Sequence, residues 1–313
     1  MNPRICVLLS LYNGEDYLYE QIQSILCQKA VELILLVRDD GSTDNSINIL
    51  YTFLEKNPKV VKFINPDSRC NLGVTRSFFE LIRYSAKHFS NWDYFALADQ
   101  DDIWAEDKLQ TAAQSISSGE QAALYFGLKD IVNERLETID SDFCNFHNDI
   151  FDILNRSNAS GCTMVLNNAY LKWFENIEVP DNVKFLHDAV IYRLAICAGV
   201  KIYCDQRIPK IKYRQHGKNA EGYVRKTSMW NLAKKVNRLF KKREHIIQLQ
   251  MKFILDNFRE NILPENIWIA ESVANYNRFW KTKCNLFLSF IRNAKCSFSD
   301  KVIIGLRLLF SFI

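Results

Sequence analysis

Short apolar runs that end in polar loops alternate with helical patterns in the N-terminal part of this chain. Ile5–Leu9, Leu33–Val37 and Tyr94–Ala98 have the length and composition of buried strands. Between them, apolar residues recur at the three- and four-residue spacing of amphipathic helices. This alternation is typical of a parallel sheet with helices on its faces. The sequence therefore predicts an α/β fold with a mostly parallel sheet.

The same patterns predict further elements along the chain. A strand is expected at Val60–Ile64, a helix from about Thr75, a helix from Asp188 to Ala198 that ends at Gly199, and a strand at Val200–Tyr203. From Arg225 onward the chain is expected to be mainly helical. We therefore predict an α/β domain over residues 1–222 and a helical C-terminal region over residues 223–313.

Composition places the chain among ordinary globular proteins. Of its 313 residues, 48% are hydrophobic and 24% charged, and the net charge of +4 is too small to indicate nucleic acid as a partner. The nine cysteines are scattered without the spacing of a zinc site, which predicts reduced thiols in a cytoplasmic protein. No apolar run reaches the ~20 residues that a bilayer span needs. We expect a cytoplasmic protein that is soluble or peripheral to the membrane.

An acidic loop, Asp99–Asp102, follows the predicted strand Tyr94–Ala98. Asp99 and Asp101 are two residues apart, so in extended backbone their carboxylates point to the same side, while Asp102 points to the other. Two carboxylates on one side suit a hard cation such as Mn²⁺ or Mg²⁺. The alternative is a solvated acidic turn before the next helix. Metal binding is the hypothesis when the neighbouring loops are considered together.

Two more polar loops lie at the expected carboxyl ends of strands, where ligands of such sheets bind. Tyr12 and Asn13 offer a ring to stack on a base and an amide to bond its edge. Asp39 and Asp40 offer carboxylates to a nucleobase or ribose. Taken singly, Tyr12 and Asn13 are better explained as a loop anchor, and Asp39 and Asp40 as an Asp-rich turn with a helix cap. The chain has no GxGxxG motif and no P-loop, so phosphate binding would depend on a metal and side chains.

Four stretches in this order resemble glycosyltransferase family 2, a group of inverting enzymes with the GT-A fold. They are Leu9–Glu15, Arg38–Asp44, Asn71–Gly73 and Ala98–Trp104. The resemblance covers roughly residues 3 to 220. The last stretch is most similar to the bacterial branch that builds rhamnose-containing and other surface polysaccharides.

The resemblance implies roles for individual residues. It assigns the donor nucleotide to Tyr12, Asn13, Glu15, Asp39, Asp40, Asn71, Arg76 and Asp99. It assigns the metal to Asp99 and Asp101, and the acceptor to Trp104, Gly161, Cys162 and His187.

Asp188 is the expected catalytic base. Family enzymes carry a carboxylate at the start of a later helix, often in a Glu-Asp pair, and this chain has His187-Asp188 in that place. Asp188 would take the proton of the acceptor hydroxyl as that oxygen attacks the anomeric carbon. The competing interpretation is a helix N-terminal acid that the helix dipole stabilises.

The stretch from Tyr213 to Asn219 occupies the place of a loop that closes over the diphosphate in family members. Arg214 and Lys218 are expected to neutralise phosphate charge, and His216 to bind the metal or the diphosphate. A structural role for the histidine is the alternative.

The C-terminal region has a basic stretch. Arg225 to Arg243 contains eight Lys or Arg and no acidic residue, with apolar residues on one helical face. It is expected either to contact an anionic membrane or to pack on the α/β domain. The stretch Val302–Ile313 is expected to contact membrane or a second copy of the chain.

Together these observations predict a metal-dependent, inverting glycosyltransferase. It would move a sugar from a dTDP- or UDP-sugar to a hydroxyl of a lipid-linked or protein-linked glycan in bacterial polysaccharide synthesis. The alternatives are a non-catalytic partner subunit with the same fold and a metal-dependent nucleotidyltransferase.

Overall fold

The computed structural model describes residues 1–142, 144, 146–154, 159–217, 245–276 and 280–309. The chain divides into two compact units. The first consists of Met1–Cys144, Ala159–Asp188 and Val200–Gly222, and the second of Asn145–Asn158, Ala189–Gly199 and Tyr223–Ile313. The boundary predicted at residue 222, the basic stretch Arg225–Arg243 and Lys218 lie outside the described residues.

A large mixed sheet forms the centre of the first unit. Its strands, labelled in chain order with those of a smaller sheet, are Arg4–Leu11 (β1), Glu32–Asp39 (β2), Val61–Phe63 (β3), Tyr94–Ala98 (β4), Ala123–Gly127 (β6), Val165–Asn167 (β9) and Lys201–Asp205 (β10). They are ordered β10-β6-β9-β4-β1-β2-β3, and β9 is antiparallel to β4 and β6. The other pairs are parallel. The predicted mostly parallel sheet is confirmed.

The central strand β1 explains why its sequence is a continuous apolar run. It pairs in parallel with β2 on one side and β4 on the other, and Ile5–Leu9 is fully buried. A strand in the middle of a sheet that is covered on both faces has no polar face, so it lacks alternation. From β1 the chain builds β2 and β3 on one side and crosses to β4 on the other. The carboxyl ends of β1 and β4 therefore flank a topological switch point, where ligands of such sheets bind.

Helices alternate with these strands along the chain. Those before residue 200 are Leu18–Leu26 (α1), Ser46–Lys56 (α2), Val74–His88 (α3), Lys108–Ser115 (α4), Asn168–Leu171 (α5) and His187–Cys197 (α6). In α1, Leu18, Ile22 and Ile25 are buried at the spacing that the sequence shows. Short 3₁₀ turns at Ile150–Leu154, Gly161–Thr163 and Lys172–Phe174 complete this part of the chain.

A smaller sheet begins directly after the acidic loop. Its strands are Ile103–Trp104 (β5), Asp130–Val132 (β7), Thr138–Ser141 (β8) and Ile211–Arg214 (β11), in the order β5-β11-β7-β8. Trp104 is paired with Ile211 in antiparallel register. Residues far apart in the chain thus meet directly after the acidic loop.

The C-terminal part is helical, as its sequence predicts. Its helices are Ile246–Phe258 (α7), Pro264–Ala274 (α8), Trp280–Asn293 (α9) and Phe298–Leu309 (α10). Pro264 occupies the first turn of α8, where its missing N–H breaks no hydrogen bond. Among the described residues, no helix is both long and apolar enough to cross a bilayer.

Candidate active site

A cleft of about 420 Å³ lies at the carboxyl ends of the strands in the first unit. Eight of the residues singled out in the sequence line it: Tyr12, Asp40, Asn71, Asp99, Asp101, Gly161, His187 and Asp188. The sequence analysis did not single out Ser10, Gly73, Val74, Phe78, Gln100, Lys129, Ser160, Leu186 and Tyr213, which line it as well. The structure therefore brings three polar loops and the start of α6 into one cavity.

The loops after β1 and β4 are joined by Gln100. Its side-chain carbonyl accepts from the Tyr12 N–H at 2.8 Å, and its amide donates to the Tyr12 carbonyl at 2.9 Å. The side chain of Gln100 thus bonds both backbone polar groups of Tyr12 and links the loop after β4 to the loop after β1. The Tyr12 side chain remains 47% exposed at the mouth of the cleft, where a planar base can stack on it.

Asn13 and Glu15 fasten the first loop to the second. Asn13 Oδ1 accepts from the Thr43 N–H at 2.8 Å, and Glu15 Oε2 accepts from the Asn45 N–H at 2.9 Å. Neither side chain lines the cleft. Their assignment to donor binding stays a prediction, while the contacts in the structure hold the loops in place.

Asp39 and Asp40 have different surroundings. Asp39 is fully buried, and its carboxylate accepts from the N–H groups of Gly41 and Ser42 at 3.1 Å. Asp40 lines the cleft and accepts from Arg38 at 2.6 Å and from the Gly73 N–H at 2.9 Å. Of these two residues, only Asp40 therefore lies next to the space that a nucleotide would fill.

The loop at residues 71–73 packs closely against the second loop. Gly41 has φ of +86°, and a Cβ there would lie 3.2 Å from the Asn71 nitrogen. Glycine satisfies both the left-handed backbone and this close approach. Asn71 lines the cleft, whereas Arg76 does not and instead pairs with Asp181 at 3.0 Å. A nucleotide contact for Arg76 stays a prediction.

The carboxylates of Asp99 and Asp101 both face the cleft, and Asp102 is fully buried behind them. Burial, with the nearby carboxylates of Asp101 and Asp188, raises the pKa of Asp99 to about 7. Burial also raises the pKa of Asp102 above its usual range, with Asp99 and Asp101 adding to the effect. A cation bound here would offset the repulsion between these neighbouring carboxylates.

The residues present fit a divalent metal. Carboxylate oxygens are the ligands that Mg²⁺ and Mn²⁺ prefer, and Asp99 and Asp101 present them to the same open cleft. Asp99, Asp102 and Cys162 also have ligand atoms within 4.8 Å of one another. Burial raises the pKa of the Cys162 thiol, which therefore stays protonated and is a poor ligand for a hard cation. Asp99 and Asp101 are the better pair.

His216 and Arg214 hold the acidic loop from β11 and the residues after it. His216 Nε2 lies 2.8 Å from Asp101 Oδ2. The buried guanidinium of Arg214 donates to the Asp101 carbonyl at 3.1 Å and pairs with Glu20 at 2.5 Å. It also lies 4.5 Å from the centre of the Tyr17 ring. Neither residue lines the cleft, so a metal role for His216 and a donor role for Arg214 stay predictions.

A buried cluster lies behind the acidic loop. Trp104 is 3% exposed, and the ammonium of buried Lys108 lies 3.6 Å from the centre of its ring. Burial lowers the pKa of Lys108 to about 7. Trp104 and Cys162 do not line the cleft, and their contact with an acceptor stays a prediction.

Asp188 and His187 line the cleft from the start of α6. Asp188 Oδ2 accepts from the Gly161 N–H at 3.0 Å. The His187 ring stacks on Phe78 with a centroid distance of 4.0 Å, and burial lowers its pKa to about 3. His187 is therefore neutral at physiological pH and places no positive charge beside Asp188.

Lys129 is the functional candidate that the sequence analysis missed. Among the described residues it is the only lysine or arginine that lines the cleft. Its ammonium donates to Ser160 Oγ at 2.5 Å and lies 3.9 Å from the centre of the Tyr213 ring. The available signal was a lysine just after the apolar run 122–127, at the end of a strand.

The fold defines a structural class, the GT-A fold. The structure resembles S. aureus TarS 1–349 in complex with UDP-GlcNAc, with a TM-score of 0.56, 15% identity, and coverage of 99% of this chain and 91% of that one. It also resembles the mannosyltransferase PcManGT from Pyrobaculum calidifontis in complex with GDP-Man and Mn²⁺, with a TM-score of 0.50, 16% identity and coverage of 100% and 81%. At these identities the likeness shows the fold alone.

The sequence comparison identifies the family. The model of glycosyl transferase family 2 matches residues 6–172, more than half of the chain, and the protein belongs to this family. The dTDP-rhamnosyl transferase RfbG of Shigella flexneri is 29% identical over 226 residues, which are 68% of this chain and 73% of that protein. The resemblance inferred from the four motifs is confirmed, and the protein is a glycosyltransferase.

Proposed function

We propose that the protein is an inverting, metal-dependent glycosyltransferase. It moves a sugar from a pyrimidine nucleoside diphosphate to a hydroxyl of a glycan in bacterial surface polysaccharide or glycoconjugate synthesis. The observation that carries the proposal is one cleft that Asp99, Asp101 and Asp188 line together. Metal ligands and a base for the acceptor thus face the same cavity.

The donor is placed by the loops after β1, β2 and β4. Tyr12 stacks on the base, and Asp40 and Asn71 bond the nucleoside from the neighbouring wall. RfbG is named a dTDP-rhamnosyl transferase and the TarS complex holds UDP-GlcNAc. Both are pyrimidine nucleotides, which favours dTDP- or UDP-sugars as donors for this chain.

Asp99 and Asp101 would hold the metal. Mn²⁺ or Mg²⁺ there would neutralise the charge that develops on the leaving diphosphate. Lys129 provides a second positive charge in the cleft, and its ammonium donates to the diphosphate oxygens. His216 orients the carboxylate of Asp101 through its hydrogen bond, as outer-shell partners of metal ligands do.

Asp188 accepts the proton of the acceptor hydroxyl. The Gly161 N–H donates to Asp188 Oδ2 and so orients the carboxylate that takes up the proton. The hydroxyl oxygen then attacks the anomeric carbon on the face opposite the diphosphate. One displacement at that carbon inverts its configuration.

The acceptor and its location are proposals of the same kind. We place the reaction at the cytoplasmic face of the cell membrane, with a lipid-linked or protein-linked glycan as acceptor. The support is the basic stretch Arg225–Arg243, whose charge would attract anionic lipids.

The test measures nucleoside diphosphate release by the full chain. The protein is incubated with dTDP-rhamnose, UDP-GlcNAc or GDP-mannose and a bacterial glycolipid extract as acceptor, with Mn²⁺, with Mg²⁺, or with a chelator. We expect metal-dependent release from a dTDP- or UDP-sugar, and little from GDP-mannose. Pyrophosphate or inorganic phosphate as the product would instead indicate a nucleotidyltransferase or phosphohydrolase. No product from any donor would indicate a non-catalytic subunit.

A further inference from the structure

Two cysteines of the first unit that belong to none of the motifs considered above lie next to each other. Cys144 follows β8, the edge strand of the smaller sheet, and Cys204 lies in β10, the edge strand of the larger sheet. Their Sγ atoms are 2.8 Å apart, and both residues are half-buried. Two sulfurs that only pack against each other stay farther apart than this. The side chains are therefore already directed at each other.

Cys204 has the properties of the nucleophile of such a pair. The hydrogen bond with Cys144 lowers the pKa of the Cys204 thiol, and Gln206, whose Nε2 lies 3.8 Å from Cys204 Sγ, lowers it further. Partial burial acts in the opposite direction. Thiolate is the reactive form of cysteine, and partial exposure admits a small oxidant.

We propose that Cys144 and Cys204 form an intramolecular disulfide when the protein meets a hydroperoxide. The Cys204 thiolate attacks the distal oxygen of the peroxide, the O–O bond breaks, and the leaving oxygen departs as water or an alcohol after protonation. The Cys204 sulfenic acid is then attacked by Cys144 Sγ, which forms the S–S bond and releases water. Two thiols are oxidised and one peroxide is reduced. This inference is independent of the proposed glycosyl transfer.

The position of the pair gives the bond a structural consequence. The chain between the two cysteines carries Ser160, Gly161, His187 and Asp188, which line the cleft. Two residues before Cys144, the Asp142 N–H donates to the backbone carbonyl of Lys129, the lysine that lines the cleft, at 3.1 Å. A cross-link would close this segment into a covalent loop and restrict the unfolded chain. We expect a higher thermal midpoint for the oxidised protein.

The experiment counts thiols in the full chain. Reduced and peroxide-treated protein are denatured, alkylated with N-ethylmaleimide and weighed by mass spectrometry. The reduced chain should take up nine maleimides, one for each cysteine, and the oxidised chain two fewer. Peptide mapping should recover one cross-linked pair that contains Cys144 and Cys204. The thermal midpoint should rise with oxidation and return with a phosphine reductant.

Three variants make the test specific. In Cys144→Ser and Cys204→Ser, peroxide should no longer remove a pair of thiols, and oxidation should no longer raise the thermal midpoint. Exposed Cys27→Ser should still lose two thiols and gain stability. A bond between other cysteines, a dimer on a non-reducing gel, or only oxygen addition to Cys204 would overturn the proposal. Circular dichroism of each reduced variant shows that serine leaves the fold intact.

Discussion

The carboxylate of Asp188 accepts a 3.0 Å hydrogen bond from the backbone N–H of Gly161. The bond ties the first turn of α6 to the 3₁₀ turn that begins at Gly161. A Cβ on Gly161 would lie 3.1 Å from His187 Nε2 and 3.4 Å from Asp188 Cβ. Glycine therefore lets the backbone approach the carboxylate and fixes its orientation toward the cleft.

Replacing Asp188 tests its role as base. Asp188→Asn keeps an oxygen that accepts from Gly161 but cannot take up a proton, so we expect kcat to fall by about 10²–10⁴-fold. Donor affinity, measured by calorimetry, should hardly change because the donor is held by other loops. Asp181→Asn, on a side chain that is 89% exposed, is the matched control. Turnover at the wild-type rate in Asp188→Asn would remove this residue from the mechanism.

Lys129 provides a test of diphosphate binding. Loss of a charged hydrogen-bond donor in Lys129→Met should weaken the affinity for dTDP or UDP by about 10–100-fold. The affinity for the free nucleoside should stay the same, since the nucleoside lacks the diphosphate. Lys129→Arg should retain part of the effect, and exposed Lys212→Met should bind like the wild type. Equal losses for nucleotide and nucleoside would show that Lys129 acts on the fold instead.

His216 separates orientation of a metal ligand from direct ligation. If His216 orients Asp101, His216→Ala should raise the metal concentration for half-maximal activity by about 10–100-fold. Saturating metal should then restore most of kcat. The neighbouring variant Gln215→Ala should keep the wild-type metal requirement. A metal requirement that is unchanged in His216→Ala would contradict the orienting role, and a kcat that saturating metal cannot restore would favour ligation.

His187 makes stability depend on pH in acid. Burial lowers its pKa from 6.5 to about 3, so below pH 6.5 the unfolded chain binds a proton that the folded chain does not. The contribution of neutral His187 is complete above pH 6.5 and is lost as pH falls toward 3, at up to about 1.4 kcal/mol per pH unit. His187→Phe, which keeps the stacking on Phe78, should show a shallower fall of unfolding free energy in urea titrations.

The control for this pH dependence is His88→Gln, because His88 is exposed. That variant should keep the wild-type dependence of unfolding free energy on pH. The same slope in His187→Phe as in the wild type would mean that His187 takes up its proton in the folded state.

The large sheet was predictable because its strands leave strong local signals. Ile5–Leu9 and Tyr94–Ala98 are buried on both faces, so they read as unbroken apolar runs. The antiparallel insertion of β9 was not predictable, since three residues from Val165 to Asn167 carry no periodicity. Its pairing with β4 and β6 depends on contacts between residues distant in the chain.

The same contrast holds for the site. Tyr12, Asp40 and Asp99 follow strands directly, so the position of each strand end predicted their convergence. Arg214 was expected at the diphosphate because its stretch occupies the place of the family's closing loop. In the structure it ends β11 and pairs with Glu20, and its donor role stays a prediction. Lys129 was missed because a single lysine has no pattern. Side-chain direction at such positions depends on tertiary packing.

Arg214 has a further consequence for synthesis of the chain on the ribosome. Its guanidinium donates to the Asp101 carbonyl, and its backbone N–H donates to Asp102 Oδ1 at 3.3 Å. More than a hundred residues of chain separate Arg214 from these two aspartates. A nascent chain can therefore complete β1, β2 and β4 early and still lack the clamp on its acidic loop. The acidic loop should therefore reach its final geometry only after β11 has left the exit tunnel, when the first unit is nearly complete.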